Sequence, residues 1–493
     1  MEGEPETEIC ARTTLIPSYS VKHSIEEQKA ETAKQTSICS TMERTKWLDG
    51  LRGIAAAIVA ADHFFMSDIW HPFVSFWTDA LQGRHLVQLP PIRILFSAHG
   101  MVTLFMVISG YAISIGLLKA RNGPDFIRRV SSAIVRRAFR IYLPVLVTAG
   151  LAQLLFFFNL YHWSFDKGLL ASLPPPWTAP WAHIVWLFGY MADSINIIAF
   201  EYRGGLNGQL WTMPLEFRGS NVVYLLITGL SVWRTRSRLY VLPGIAAFYL
   251  WYGNWDIFGF IWGLWLAEKA TTVSLDTRED FNTEFEMTDY EDEASRPFIS
   301  SLTRGSCRAK KSLNLRMRKI LPRIGVTCIF LVGYYLLCLG NDGHLPPGYQ
   351  FLSVLQPARW KDKWDIYHWC WKSVGSAMLV YSIAEFPRLQ RPFNTRLVQY
   401  LGKISFALYL LHETIYQLLR NPLRDFVYRA LSGKEYGSSG EALGADPFWF
   451  HVTWWTTGAF LGGLVVCAAH YYTIYVDNRC VALAKKVDQW FNS

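Results

Sequence analysis

The chain has 493 residues, of which 51% are hydrophobic, 15% aromatic and only 18% charged, a balance too apolar and too rich in tryptophan for an ordinary water-soluble domain. The net charge of +9 does not point to nucleic acid, because the basic residues cluster at the ends of apolar stretches, where a positive-inside bias puts them. Eight cysteines, Cys10, Cys39, Cys307, Cys328, Cys338, Cys370, Cys467 and Cys480, form no Cys-x-x-Cys pair, so neither a metal site nor a disulfide framework is indicated.

Residues 1–43 are polar, of mixed charge and without the apolar core of a signal peptide, and are expected to be a mobile cytosolic tail. Windows long enough to cross a hydrocarbon core follow at 95–118, 141–160, 211–232, 320–340, 368–386, 398–419 and 449–476, with shorter ones at 53–69, 239–252 and 255–267. They predict an all-α, polytopic transmembrane bundle: a first membrane part over 44–270, a charged cytosolic insert over 271–319, a second membrane part over 320–478 and a tail over 479–493. The insert is acidic in its first half, with nine Asp/Glu from Asp276 to Glu293, then basic, and is expected to be a tether without a catalytic role.

Charge sets the topology. Seven Lys/Arg against the single acid Asp125 between Lys119 and Arg140 place that loop, and with it the amino terminus, in the cytosol. The WRTRSR segment after Val232, the insert, the Arg388, Arg391 and Arg396 loop and Lys485 with Lys486 belong to the same side. These assignments agree if 181–199 does not fully span, which leaves ten helices with both termini inside; if it spans, there are eleven.

Within the first span, Arg52 and His63 stand out. Eleven helical steps of about 100° return to within roughly 20° of the start, so the two share one face about 16 Å apart. Ionisable groups inside a span are costly and mark catalysis or transport, unless the histidine is simply bonded to a neighbouring helix. Asp62 points about 100° away from His63 and is a poor partner for its ring. Glu216, two residues after Pro214 in another span, is expected either to orient His63 or to pair with Arg218. Ser405, Tyr409 and His412 fall at i, i+4 and i+7, one stripe that faces the bundle interior, where they line an acceptor pocket or hydrogen-bond between helices. Ser109 with Gly110 permits close helix approach. His99, near the outer start of the second span, is either an acceptor contact or an interfacial histidine.

The stretch LDGLRGIAAAIVAADHFF resembles the first helix of the acyltransferase 3 family of integral-membrane O-acyltransferases, whose hallmark is an arginine followed after ten residues by a histidine, here Arg52 and His63. LFMVISGYAIS (104–114) resembles the family's second-helix segment, and RRAFRIYLP (136–144) its Arg-x-x-Arg motif. LWTMPLEFRGS (210–220) and LGKISFALYLLHETI (401–415) complete an ordered series of five. The wording of the fourth is similar to members from filamentous fungi associated with acetylation of secondary metabolites.

The resemblance implies transfer of an acetyl or other short acyl group from acyl-CoA, as co-substrate, to a hydroxyl of a small molecule, such as a fungal terpenoid. A carbohydrate or cell-surface glycan is the alternative acceptor, and a proton-coupled secondary transporter using His63 and Glu216 the alternative of another class. No second copy of the Arg-x(10)-His segment or of SGY, of the kind transporter repeats show, is present. An imidazole titrates near pH 6.5, so His63 is suited to be the general base. Arg52, with Arg137 and Arg140 at i, i+3, is suited to the phosphates of coenzyme A, since guanidinium binds phosphate oxygens bidentately. No metal is expected. No Walker loop, GxSxG elbow or HExxH helix occurs, which argues against ATP-driven transport, a soluble hydrolase and zinc catalysis. With about 17 residues after its last span, the chain is expected to complete transfer within its membrane part, in the endoplasmic reticulum or another endomembrane.

Overall fold

The computed structural model describes residues 45–65, 68–69, 76, 84–198, 204–288, 323–340, 344–361 and 364–492; the expected tail over 1–43 and the insert beyond 288 lie outside them. The described residues are helical apart from turns and connections. In chain order the helices are α1 (45–65), α2 (Ala98–Ala120), α3 (Phe126–Phe157), α4 (Lys167–Ser172), α5 (Pro180–Ile195), α6 (Thr212–Gly229), α7 (Thr235–Trp251), α8 (Trp255–Thr288), α9 (Arg323–Leu337), α10 (Ala358–Lys361), α11 (Trp364–Glu385), α12 (Pro387–Gln390), α13 (Arg396–Ser432), α14 (Ser439–Ala445), α15 (Pro447–Tyr472) and α16 (Asn478–Asn492).

Residues Leu48–Ser493 form one unit, and the contacts below lie within it. Among the described residues three helical stretches, Ala98–Ala120, Phe126–Phe157 and the rod Pro447–Phe491 made by α15, a π-helical turn at Thr473–Asp477 and α16, are long and apolar enough to cross a membrane. The remaining expected spans are helical too, but they are shorter, like the 15-residue α9, or carry charges, like α13. The ambiguous 181–199 stretch contains the 16-residue α5, about 24 Å long and short of the ~20 residues a crossing takes.

Two boundaries differ from the hydropathy windows. Helix α3 begins at Phe126 rather than near Ile141, so the basic run through Arg140 is itself helical and Arg137 and Arg140 share a face. Helix α8 runs on to Thr288, into the segment expected to be a tether. Hydropathy marks where apolar residues are, whereas helical hydrogen bonding continues through charged ones until a cap stops it. Such a stop ends α13, where Gly433 adopts the left-handed conformation at φ 72°.

Helix α2 lies at the centre, packed by α8, α6 and α11, while α13 packs on α15 and α16 lies along α3. Between helices this apolar, close approach and polar bonds decide which faces meet. A Cβ on Gly110 would run into the backbone of Phe260, which is the close helix approach expected of the Ser109-Gly110 pair. Ion pairs fasten the other elements: Glu268 on α8 receives Arg121 at 2.9 Å and Arg238 at 2.7 Å, and Asp256 receives Arg218 at 2.7 Å. Glu268 and Asp256 are buried, so each pair matters chiefly because breaking it strands a buried charge.

Candidate active site

Helices α1 and α13 run side by side in the same direction, so closely that a Cβ on Gly53 would collide with the backbone of Gly402. The face of α1 shared by Arg52 and His63 meets the polar stripe of α13. Arg52 donates from Nε to Ser405 Oγ at 3.0 Å and from Nη2 to the Gly402 carbonyl at 3.3 Å, and it pairs with Asp49 at 3.1 Å. Further along, His63 Nδ1 lies 2.9 Å from His412 Nε2, with the rings tilted at 41°.

That contact sets the proton positions. His412 Nδ1 lies 3.2 Å from the Leu408 carbonyl, which can only accept, so His412 carries its proton on Nδ1 and offers a bare Nε2. His63 must then donate from Nδ1, and its own Nε2 is left unprotonated. His412 is fully buried and His63 partly exposed, so the bare nitrogen belongs to the more accessible ring. This is the tautomer a general base requires, and His412 is the partner that fixes it.

Beside this pair is a cavity of about 460 Å³ with walls from α1, α2, α3, α6, α13 and α16. One end is basic: Arg52, Arg136, Arg137, Arg140, Lys403 and Lys485 line it, against the carboxylates of Glu216 and Asp477. The inner walls are apolar, with Val102, Phe105, Met106 and Ile108 from α2. Thr212 and Tyr409 line it as well; the Tyr409 hydroxyl donates to the Gln209 carbonyl at 2.9 Å and lies 2.7 Å from Thr212 Oγ. His63 is not among the lining residues. Tyr409, which lines the cavity, is the neighbour of the histidine pair, its ring centroid 5.9 Å from that of His412.

The other expected site residues fall as follows. Glu216 neither orients His63 nor pairs with Arg218: Arg137 Nη2 meets it at 2.5 Å and Ser109 Oγ donates to it at 3.0 Å, while Arg218 is taken by Asp256. The reason is phase on the helix. Two residues separate Glu216 from Arg218, about 200° of turn, so they face opposite sides of α6 and cannot meet. Arg137, expected to be free for phosphate, is thus committed to a carboxylate and also donates to Ser220 at 3.0 Å. Arg140 lines the basic end. Asp62 accepts from the Ala98 backbone at 3.2 Å, away from the histidine ring. His99 stands outside the cavity lining, its ring 4.5 Å from that of Trp369.

His63, His412 and Glu413 present donor atoms within 4.8 Å of one another, a spread that would admit a metal ion. Here the two imidazoles bond to each other, and Glu413 accepts from the Gln209 backbone at 2.9 Å and from Gln417 at 3.3 Å.

Sequence reasoning placed His412 on the interior stripe but did not pair it with His63; the signal was the Ser405 to His412 spacing, which follows the same face as Arg52 to His63. Lys403, Asp477 and Lys485 were missed as cavity residues. They come from helix ends distant in sequence, and no linear pattern aligns α16 with α3.

A helical bundle that closes a cation-rimmed cavity beside a histidine fixed as a base has the equipment of a group-transfer enzyme acting on an anionic donor. The chain belongs to the acyltransferase domain family, whose model matches residues 45–472. It is 26% identical over 480 residues to O-acetyltransferase PaAT-1 of Phomopsis amygdali, covering 90% of this chain and 84% of that protein. Acyltransferase clz18 of Cochliobolus lunatus and acyltransferase R4 of a Phoma species are each 22% identical, over 75% of this chain and 82% of their own lengths. No solved structure matches the chain.

Proposed function

We propose that this acyltransferase moves an acetyl group from acetyl-CoA to a hydroxyl of a small apolar fungal metabolite, such as a terpenoid alcohol, within an endomembrane. The observation that carries this reading is the coupling of a tautomer-fixed His63 to the α1 face that also holds Arg52 at the basic end of the cavity. With Arg137 committed to Glu216, the other five cations at that end suit the phosphates of a nucleotide thioester. The apolar walls of α2 suit the pantetheine arm. The O-acetyltransferase among the relatives supports acetyl transfer to a hydroxyl, and the three long apolar stretches support a membrane-spanning bundle, for which we propose about ten spans with the basic end toward the cytosol.

In the reaction His63 Nε2 takes the proton of the acceptor hydroxyl as its oxygen forms a bond to the thioester carbonyl carbon. The carbon–sulfur bond then breaks, the ester is released, and the departing thiolate recovers the proton from the imidazolium. His412 Nε2 accepts from the His63 Nδ1–H throughout, which keeps the His63 Nε2 turned away from His412.

The test uses the full chain in proteoliposomes with radiolabelled acetyl-CoA and two sets of acceptors, terpenoid alcohols and sugars. Labelled ester on the terpenoid alcohols is expected, none from His63→Ala, and from Arg52→Lys a raised KM for acetyl-CoA. Full turnover by His63→Ala refutes the base assignment, and ester on the sugars alone moves the acceptor to a glycan.

A further inference from the structure

We propose that Glu413 is a positioning residue for this reaction: from its place beside the histidine pair, its carboxylate supplies the countercharge for the imidazolium formed when His63 takes the acceptor's proton. The inference rests on the reading of His63 as the base and adds the group that makes its charged state tenable.

The first argument is proximity. Glu413 follows His412 on α13 and brings a carboxylate oxygen within 4.8 Å of donor nitrogens on both His63 and His412. The second is charge. The other acids of this region have cations near them: Glu216 has Arg137, Asp256 has Arg218 and Asp68 has Arg420, while buried Asp62 lies in the field of its neighbour His63 and also of Arg93 and Lys372. Glu413 accepts only from neutral donors, the Gln209 N–H and the Gln417 amide, and among the described residues no lysine or arginine pairs with it. A half-buried carboxylate without a cation partner is unfavourable inside a helical bundle, and a cation that appears only during the reaction would answer it.

The third argument is what His412 cannot do. With Nδ1 donating to Leu408, it accepts from His63 as a neutral ring and brings no charge of its own. In a low-dielectric interior, a proton arriving on His63 needs a negative group nearby and already oriented. The Gln209 and Gln417 bonds tie Glu413 to the turn before α6 and to its own helix, so the carboxylate does not have to move when charge develops.

Glu413→Gln keeps an oxygen that can accept from the Gln209 N–H and removes the charge, whereas Glu413→Asp keeps the charge. With the full chain in proteoliposomes, radiolabelled acetyl-CoA and the terpenoid alcohol esterified fastest, Glu413→Gln is expected to lower kcat by about 10- to 100-fold with the KM for acetyl-CoA unchanged. Glu413→Asp is expected to recover most of the loss. Wild-type kcat in Glu413→Gln, equal losses in both variants, or a raised KM for the alcohol at unchanged kcat each overturn the proposal. If Glu413→Gln does not insert, Glu413→Asp against Glu413→Asn repeats the comparison one methylene shorter. The two readings separate cleanly. Activity in His63→Ala fails the base assignment, while its loss beside an unimpaired Glu413→Gln fails only the countercharge.

Discussion

Truncating His412 tests the tautomer argument most directly. In His412→Ala the 2.9 Å bond to His63 disappears, and the Nδ1–H of His63 loses its acceptor in a site where His412 was fully buried. An unmade buried hydrogen bond costs about 1–3 kcal/mol. If that loss appears as misorientation of the base, at ~1.4 kcal/mol per tenfold it predicts a fall in kcat of about 5- to 150-fold. The KM for acetyl-CoA should hold, because Arg52 contacts α13 seven to ten residues earlier, at Ser405 and Gly402, away from the lost ring. His412→Gln offers an amide oxygen as acceptor and should regain part of the rate. The assay is ester formation from radiolabelled acetyl-CoA in proteoliposomes, with monodispersity confirming a folded bundle. Unchanged kcat in His412→Ala would refute the assignment of His412 as the group that fixes the His63 proton.

Two further predictions separate binding from scaffolding. Lys485→Ala, at the basic end, should raise the KM for acetyl-CoA about 3- to 10-fold with kcat preserved, and the effect should shrink as ionic strength rises; a salt-independent change would show that Lys485 does not act through charge. Arg218→Ala strands Asp256, only 2% exposed, and should cost about 3–5 kcal/mol of stability, seen as a lower Tm in detergent, while the KM for acetyl-CoA stays unchanged because neither residue lines the cavity. An unaltered Tm would mean that the pair holds α6 to α8 only weakly.

Much of the site could be read from one dimension because helical periodicity is local. The shared face of Arg52 and His63 follows from 3.6 residues per turn, and so does the Ser405, Tyr409 and His412 stripe; the structure brings these two faces together. The partner of Glu216 could not be read in the same way. Helical phase rules out Arg218 as its partner, but Arg137 becomes available only because α3 starts fifteen residues before its apolar window and carries its basic run alongside α6.

Sequence by itself determined the all-helical architecture, the helix faces and the family, since each depends on spacing within a segment and on motif order along the chain. Tertiary structure decided which faces meet. Parallel packing of α1 on α13 turned two separate stripes into a hydrogen-bonded histidine pair, and folding α16 back along α3 brought Lys485 to the same cavity end as Arg52. The physical reason is that ion pairs, tautomers and cavities depend on distances of a few ångströms between residues hundreds of positions apart, which only the packing of the helices sets.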